Sequence, residues 1–129
     1  MTFDGDNEPF LTAFIVIPIT LPSLPNCRMH WRPKAKIVRQ IREAGFMCVR
    51  ALLARYHELK PPCIITMNRL GRRLDDDNLA GACKPLRDGI ADAFGLNDRD
   101  SRIKWVPAQS PAPKGVMGCA ITISFCPHE

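Results

Sequence analysis

Residues 72–94 read RRLDDDNLAGACKPLRDGIADAF, and this stretch has the clearest periodic pattern in the chain. Its apolar side chains recur at alternating steps of four and three residues, at Leu79, Cys83, Leu86, Ile90 and Ala93. This spacing predicts an amphipathic helix over residues 77–94, and Gly95 is the expected C-terminal stop. Pro85 lies inside the pattern, and a mid-helix proline costs about 3 kcal/mol. We therefore expect a kink there, or a short first helical segment.

The remaining sequence predicts one further helix and four short strands. A helical apolar stripe runs over residues 34–59 and is ended by Pro61 and Pro62. Apolar, β-branched runs predict strands at residues 11–19, 63–67, 102–106 and 116–125. Loops are predicted at residues 68–76 and 107–115. The predicted order is β-α-β-α-β-β, an α/β (α+β) fold in which a small mixed β-sheet packs with two helices.

Length and composition indicate one globular domain. The chain has 129 residues, of which 46% are hydrophobic, enough for one core. We expect the domain at residues 10–129, after a flexible acidic N-terminus at residues 1–9. The longest apolar run, residues 10–21, is shorter than a membrane span of about 18 residues. Acidic residues precede it, the wrong order for a secretory signal. These features predict a cytoplasmic protein with no membrane partner.

The cysteines and histidines favour neither disulfides nor zinc. The six cysteines are widely spaced without a Cys-x-x-Cys pair, and the three histidines are scattered. Buried, reduced thiols are the expected state.

The acidic run Asp75-Asp76-Asp77 follows Arg72 and Arg73, with Leu74 between them. Crowded carboxylates suit a hard divalent cation such as Mg²⁺. Alternatively, acids at a helix start cap free N–H groups and complement the helix dipole, each contributing about 0.3–1 kcal/mol. Capping accounts for one or two of these acids. A second acidic cluster at residues 97–100 either contributes to the same site or forms a surface turn.

Helical geometry links Lys84 to the acidic run. At about 100° per residue, Asp77, Lys84 and Asp88 share one face of the predicted helix, opposite its apolar face. Lys84 thus either serves a site near Asp77 or forms an ordinary i,i+4 pair with Asp88.

The net charge of +5 and the pI near 9.1 favour a polyanionic partner. Several cations lie before or at the start of the first helix, where positive charge opposes the dipole unless an anion binds. The candidate nucleic-acid contacts are Arg28, His30, Trp31, Arg32, Lys34, Lys36, Arg69, Arg72 and Arg73. Trp31 either stacks on an unpaired base or covers the sheet beside solvated cations.

The run from Arg72 to Leu79, followed by Lys84, an apolar helix and an acidic pair, resembles the RusA-type Holliday junction resolvases of bacteria and their phages. Residues 21–31 also resemble the proline- and asparagine-containing loop after that family's first strand. The resemblance spans roughly residues 11–125, and Asp-x-Asp-Asn-Leu is its specific part.

The resemblance implies a homodimeric endonuclease that depends on Mg²⁺, with Mn²⁺ as a possible substitute, and cuts four-way DNA junctions in recombination and repair. Asp75 and Asp77 match the family's Asp-x-Asp pair. Asp100 matches the third metal-binding aspartate, with Asp98 as the competing assignment, and Lys84 is the candidate catalytic lysine.

Two positions depart from the family's pattern. Its lysine commonly lies where Gly81 stands here, and its acidic pair is adjacent, whereas Arg99 separates the pair in this chain. Two rival functions follow from the same residues. One is a non-catalytic DNA-binding protein of the same fold, and the other is a nucleotide-sugar transferase, for which the chain is short.

Overall fold

The computed structural model describes residues 11–22, 31–112 and 117–125. Within these ranges the elements are β1 (Leu11–Ile17), α1 (Trp31–Arg55), β2 (Cys63–Leu70), α2 (Asp76–Phe94), β3 (Ile103–Ser110) and β4 (Gly118–Phe125). The predicted order β-α-β-α-β-β is confirmed. The predicted flexible segment at residues 1–9 lies outside the described residues.

The four strands form one mixed sheet in the order β1-β4-β2-β3. β4 pairs antiparallel with both β1 and β2, while β2 and β3 run parallel. Parallel neighbours need a crossover connection, and α2 supplies it between β2 and β3. This topology places the start of α2 just beyond the end of β2, in the middle of the sheet.

Both helices pack on one face of the sheet. Alternate strand residues such as Ile65, Ile121 and Ile123 are fully buried in one cluster with Leu86 and Ile90 of α2. Because side chains alternate across a strand, the intervening residues lie on the opposite face. The result is a two-layer arrangement with a single core between helices and sheet.

The two helices approach each other closely where glycines face the neighbouring backbone. A Cβ atom on Gly89 would lie 2.1 Å from the carbonyl oxygen of Arg42 in α1. Beside this contact, Arg42 Nε donates to Asp92 Oδ2 of α2 at 2.7 Å. The position of α2 over the sheet thus depends on the absence of a side chain at Gly89.

Two strands extend beyond their predicted ends. β2 continues to Leu70, and β3 continues through Pro107 to Ser110, where loops were predicted. β3 is an edge strand, and a proline is tolerated there because its missing N–H can face away from the neighbouring strand.

α2 is continuous through Pro85, which excludes the short first segment, one of the two alternatives predicted there. Pro85 is buried with neighbouring core residues, and this packing offsets the lost hydrogen bond. Gly95 ends α2 as predicted, with φ 72° and its N–H directed to the Ala91 and Asp92 carbonyls. α1 starts earlier than predicted, at Trp31, and ends earlier, at Arg55.

Among the described residues, Cys48, Cys63, Cys83 and Cys119 are free thiols, and all of them except the partly buried Cys48 are buried. Cys27 and Cys126 lie outside the described residues. Burial raises the pKa of Cys63 to about 12 and that of Cys119 likewise to about 12. Among the described helices, none is long and apolar enough to cross a membrane.

Candidate functional site

The acidic segment, Asp75–Asp77, forms the N-terminus of α2. Asp75 is the N-cap, and its Oδ1 accepts a hydrogen bond from the Asn78 N–H at 2.9 Å. Asp76 and Asp77 follow in the first turn, and all three side chains are exposed. Capping therefore accounts for Asp75, and the first-turn acids complement the dipole. One oxygen of Asp75 and both carboxylates that follow remain accessible to a cation from solvent.

The backbone leading into the acidic segment is held by the end of β3. Gln109 Nε2 donates to the Leu74 carbonyl at 2.7 Å, and the Leu74 N–H donates to Gln109 Oε1 at 2.9 Å. The Gly71 N–H also donates to the Ser110 carbonyl at 3.0 Å. These hydrogen bonds fix the backbone just before the acidic segment relative to the end of β3. Sequence reasoning missed Gln109 because residues 107–115 were predicted to be a loop.

Arg69 occupies a different place from the one predicted. It is only 9% exposed, so it does not belong with the surface cations predicted to contact phosphate. Its Nε donates to the Leu21 carbonyl at 2.7 Å, and its Nη1 donates to the Arg72 carbonyl at 2.6 Å. Arg69 links the segments that follow β1 and β2 through these two hydrogen bonds. It therefore helps to fix the backbone that leads into the acidic segment.

Lys84 lies between two carboxylates on the outer face of α2. Its Nζ donates to Asp88 Oδ1 at 2.6 Å and to Asp98 Oδ2 at 3.0 Å. The hydrogen bond from Lys84 lowers the pKa of Asp98, and the hydrogen bond to Asp88 raises the pKa of Lys84. The i,i+4 pair considered from the sequence is therefore present. The contact with Asp98 was not predicted, because it depends on how the chain returns along α2.

Asp98 is also fixed through its backbone. Its carbonyl accepts hydrogen bonds from Trp105 Nε1 at 3.0 Å and from Arg87 Nη2 at 3.2 Å. Arg87 Nε lies 3.5 Å from Asp98 Oδ2. Asp98 is thus held both through its carboxylate and through its carbonyl.

Asp100 is engaged within its own turn. The side chain and the backbone N–H of Arg102 both donate to its carboxylate, which lowers the pKa of Asp100 to about 2. The Asp100 N–H donates to the Asn97 carbonyl at 3.0 Å. The second acidic cluster is a structured turn, as the alternative interpretation held, and its carboxylates are ionised at neutral pH.

The candidate ligands fall into two groups. Asp75 and Asp77 lie at the start of α2, whereas Asp98 contacts Lys84, which is about 10 Å along the helix axis from Asp77. Across the described residues, no group of three or more His, Cys, Asp or Glu side chains is placed to hold a metal. The donor chemistry of Asp75 and Asp77 nevertheless suits Mg²⁺, which commonly binds one or two carboxylates together with waters and substrate phosphates.

Exposed cations flank the acidic segment. Arg72 and Arg73 are both exposed directly before it. Arg73 also lines a hollow of about 250 Å³ with Gly71, Gln109 and Ser110. This arrangement places positive charge for a phosphate on the side of the carboxylates that precedes α2.

The other predicted cations lie near the start of α1, whose first turn contains no acidic residue. Lys36 is exposed and Lys34 is partly buried. Arg28 and His30 lie outside the described residues, as do the side chains of Trp31 and Arg32.

Comparison with known proteins finds a relative that matches part of the chain. A protein of Xylella fastidiosa (strain Temecula1), described as an uncharacterized protein, is 42% identical over 82 residues. The match covers 58% of this chain and 52% of that protein, so the chain spans about half the length of the relative. No family model matches the chain.

Proposed function

We propose that this protein is a Mg²⁺-dependent, structure-specific endonuclease that resolves four-way junctions and other branched DNA in recombination and repair, in the cytoplasm. The observation that carries the proposal is the exposed acidic segment at the start of α2, directly beside exposed Arg72 and Arg73. Carboxylates next to arginines suit a divalent ion at one phosphate while the arginines hold a neighbouring phosphate. The likeness of residues 72–79 to the RusA-type resolvases gives the substrate class.

The roles of the acids follow from their positions. Asp75 and Asp77 would hold the ion together with waters and a substrate phosphate. The third carboxylate that the resemblance implies, Asp100 or Asp98, lies in the separate turn after α2 and would have to approach them when DNA and metal bind. When bound, the ion activates water and neutralises charge developing at the scissile phosphate. Arg72 and Arg73 would bind the flanking phosphates. Gln109 and Arg69 keep the backbone before Asp75 in place, so little ordering is needed when DNA binds.

The test is incubation of the protein with a labelled four-way junction, with and without Mg²⁺ or Mn²⁺. A linear duplex of the same arm sequence is the matched control substrate. We expect paired nicks only when junction and divalent ion are both present. If the junction remains uncut with Mg²⁺ and with Mn²⁺, the proposed nuclease activity is wrong.

The alternative is a non-catalytic DNA-binding protein of the same fold. The ion pairs of Lys84 with Asp88 and Asp98 favour it, since these contacts occupy the candidate catalytic lysine. Junction binding without cleavage in any divalent ion would support this alternative.

A homodimer is part of the proposed function. A four-way junction has two-fold symmetry, and resolution needs paired nicks on opposite strands. A C2 dimer presents two identical sites to the two related phosphates.

Replacing Lys84 with alanine is expected to slow junction cleavage at least about tenfold, equivalent to roughly 1.4 kcal/mol of transition-state stabilisation. In the proposed enzyme, Lys84 orients the attacking water or neutralises charge on the phosphate. Folding and junction affinity should change little, because the side chain is half exposed. Single-turnover cleavage rates provide the measurement.

Lys60→Ala is the matched control for Lys84→Ala, since Lys60 is an exposed lysine between α1 and β2. It should cut at the normal rate. If Lys84 is only a surface partner of Asp88, its loss costs a few tenths of a kcal/mol in stability and leaves cleavage unchanged, which would remove it from the catalytic residues.

Junction affinity is expected to fall steeply with salt. The six cations proposed to contact phosphate are Arg28, Arg32, Lys34, Lys36, Arg72 and Arg73. Six contacts give a slope of log affinity against log salt near about −5, from about −0.9 per phosphate. Replacing both Arg72 and Arg73 with alanine should make the slope shallower by about 2. Binding titrations at several salt concentrations measure it, and a slope near zero would remove DNA from the partners.

A further inference from the structure

The sheet has one face that the helices leave uncovered. We define this open face by the strand residues that alternate with the core. In β1 and β4 they are Thr12, Phe14, Val16, Gly118, Ala120, Thr122 and Ser124. In β2 and β3 they are Ile64, Thr66, Asn68, Leu70, Lys104, Val106, Ala108 and Ser110. The register aligns them in rows across all four strands, as in Phe14–Thr122–Thr66–Val106.

The open face is poorly suited to water. Phe14 is 61% exposed and Val16 is 43% exposed. Lys104, at the corner where β3 begins, is the single charged residue of the face, although 24% of the whole chain is charged. A solvated face of such a sheet normally carries polar and charged side chains. A broad face with a single charge, made of apolar side chains and small uncharged polar ones, instead marks an interaction surface.

The charge pattern argues against DNA as the occupant of this face. Nucleic-acid contacts need several lysine or arginine side chains, and the open face offers only Lys104. The exposed cations Arg72 and Arg73 precede α2, the helix that packs on the other face of the sheet. The partner of the open face must therefore be another neutral, largely apolar surface.

We propose that the open face is where a second copy of this chain docks, sheet against sheet, around a two-fold axis. A two-fold dimer uses the same patch on both subunits. Each chain carries a net charge of +5, so two copies repel least through a neutral patch. Stacked sheets pack about 10 Å apart with their strands within about 30°. Lys104 lies at the edge of the patch, where an interface keeps charge hydrated.

The size of the face agrees with a stable pair. Three strands of eight residues and one of seven, about 4.8 Å apart and with about 3.3 Å per residue, cover about 500 Å² on each subunit. Two such faces give a buried area of about 1,000 Å², without the additional surface of the projecting side chains. This area reaches the lower bound for a specific interface. The helices and the acidic segment stay on the outside of this dimer and remain open to DNA.

This inference names the surface of the proposed homodimer and rests on that part of the proposed function. Sedimentation equilibrium at micromolar concentrations tests it without any cleavage assay. Phe14→Glu places a charge in the middle of the interface and should weaken the dimer at least about 100-fold, since an unpaired charge is costly to bury. Met47→Glu is the matched control, because Met47 is 65% exposed on α1, away from the sheet.

The expected result is a dimer for the wild type and for Met47→Glu, and a folded monomer for Phe14→Glu. Circular dichroism checks the fold, and Val16→Lys serves as a second variant if Phe14→Glu does not fold. A monomeric wild type, or a dimer that survives both substitutions on the open face, overturns the proposal. A dimer that survives them but still cuts junctions leaves the proposed function intact. If the substitutions abolish the dimer but the wild-type protein never cuts junctions, the proposed interface is supported and the proposed nuclease activity is rejected.

Discussion

Replacing Asp77 with asparagine is expected to abolish junction cleavage, with a loss of at least about 10³-fold, or roughly 4 kcal/mol in the barrier. Asparagine has nearly the same size but lacks the negative charge with which Asp77 would hold Mg²⁺. Junction binding should be unchanged or stronger, because one negative charge facing the DNA is removed. Cleavage under single-turnover conditions and a gel-shift titration measure the two effects separately.

Asp76→Asn is the matched control for Asp77→Asn. Asp76 is also exposed in the first turn of α2, and it is the variable position of the Asp-x-Asp pair. Both substitutions weaken the favourable interaction with the helix dipole by about 0.3–1 kcal/mol, so a loss of cleavage confined to Asp77→Asn reports on metal binding. Full activity in Asp77→Asn would contradict the proposed mechanism.

The sequence predicted the elements well and some of their ends poorly. The order of strands and helices follows from local periodicity, which is why it could be predicted. The extension of β3 through Pro107 could not, because a proline is tolerated or excluded according to the position of its strand in the sheet. Similarly, the continuity of α2 at Pro85 depends on packing with the core, which local propensity does not report.

The candidate site was predictable to the extent that it lies on one helix. Helical geometry placed Lys84 beside Asp88, and this pair is present. Capping was predicted for one or two of the three acids without saying which, and Asp75 is the N-cap. The supporting contacts of Gln109 and Arg69 connect residues far apart in sequence, and a single sequence gives no signal for such pairs. Arg69 shows the limit most clearly, since a cation next to the acidic segment looked like a phosphate contact and is instead buried.

Gly89→Ala is expected to destabilise the fold by about 2 kcal/mol or more, the second large effect after Asp77→Asn. In an unconstrained helix this change would stabilise by up to about 1 kcal/mol. Here the new Cβ would lie 2.1 Å from the Arg42 carbonyl oxygen and 2.9 Å from its carbonyl carbon. These are backbone atoms of α1, so the helices must separate, and overpacking of this kind costs about 1–3 kcal/mol or more.

Gly45→Ala on α1 is the matched control for this helix crossing. The nearest atoms to its Cβ are Leu86 Cδ1 at 2.9 Å and the Leu86 carbonyl oxygen at 3.1 Å. Because the closest backbone atom lies at 3.1 Å here but at 2.1 Å at Gly89, we expect a smaller loss of stability. Urea unfolding of both variants and the wild type gives the free energies of unfolding. If Gly89→Ala is as stable as the wild type, the close approach of α1 and α2 is wrong. The packing that positions α2 and its acidic N-terminus over the sheet would then differ from the one described. This conclusion does not depend on whether Asp77 binds a metal.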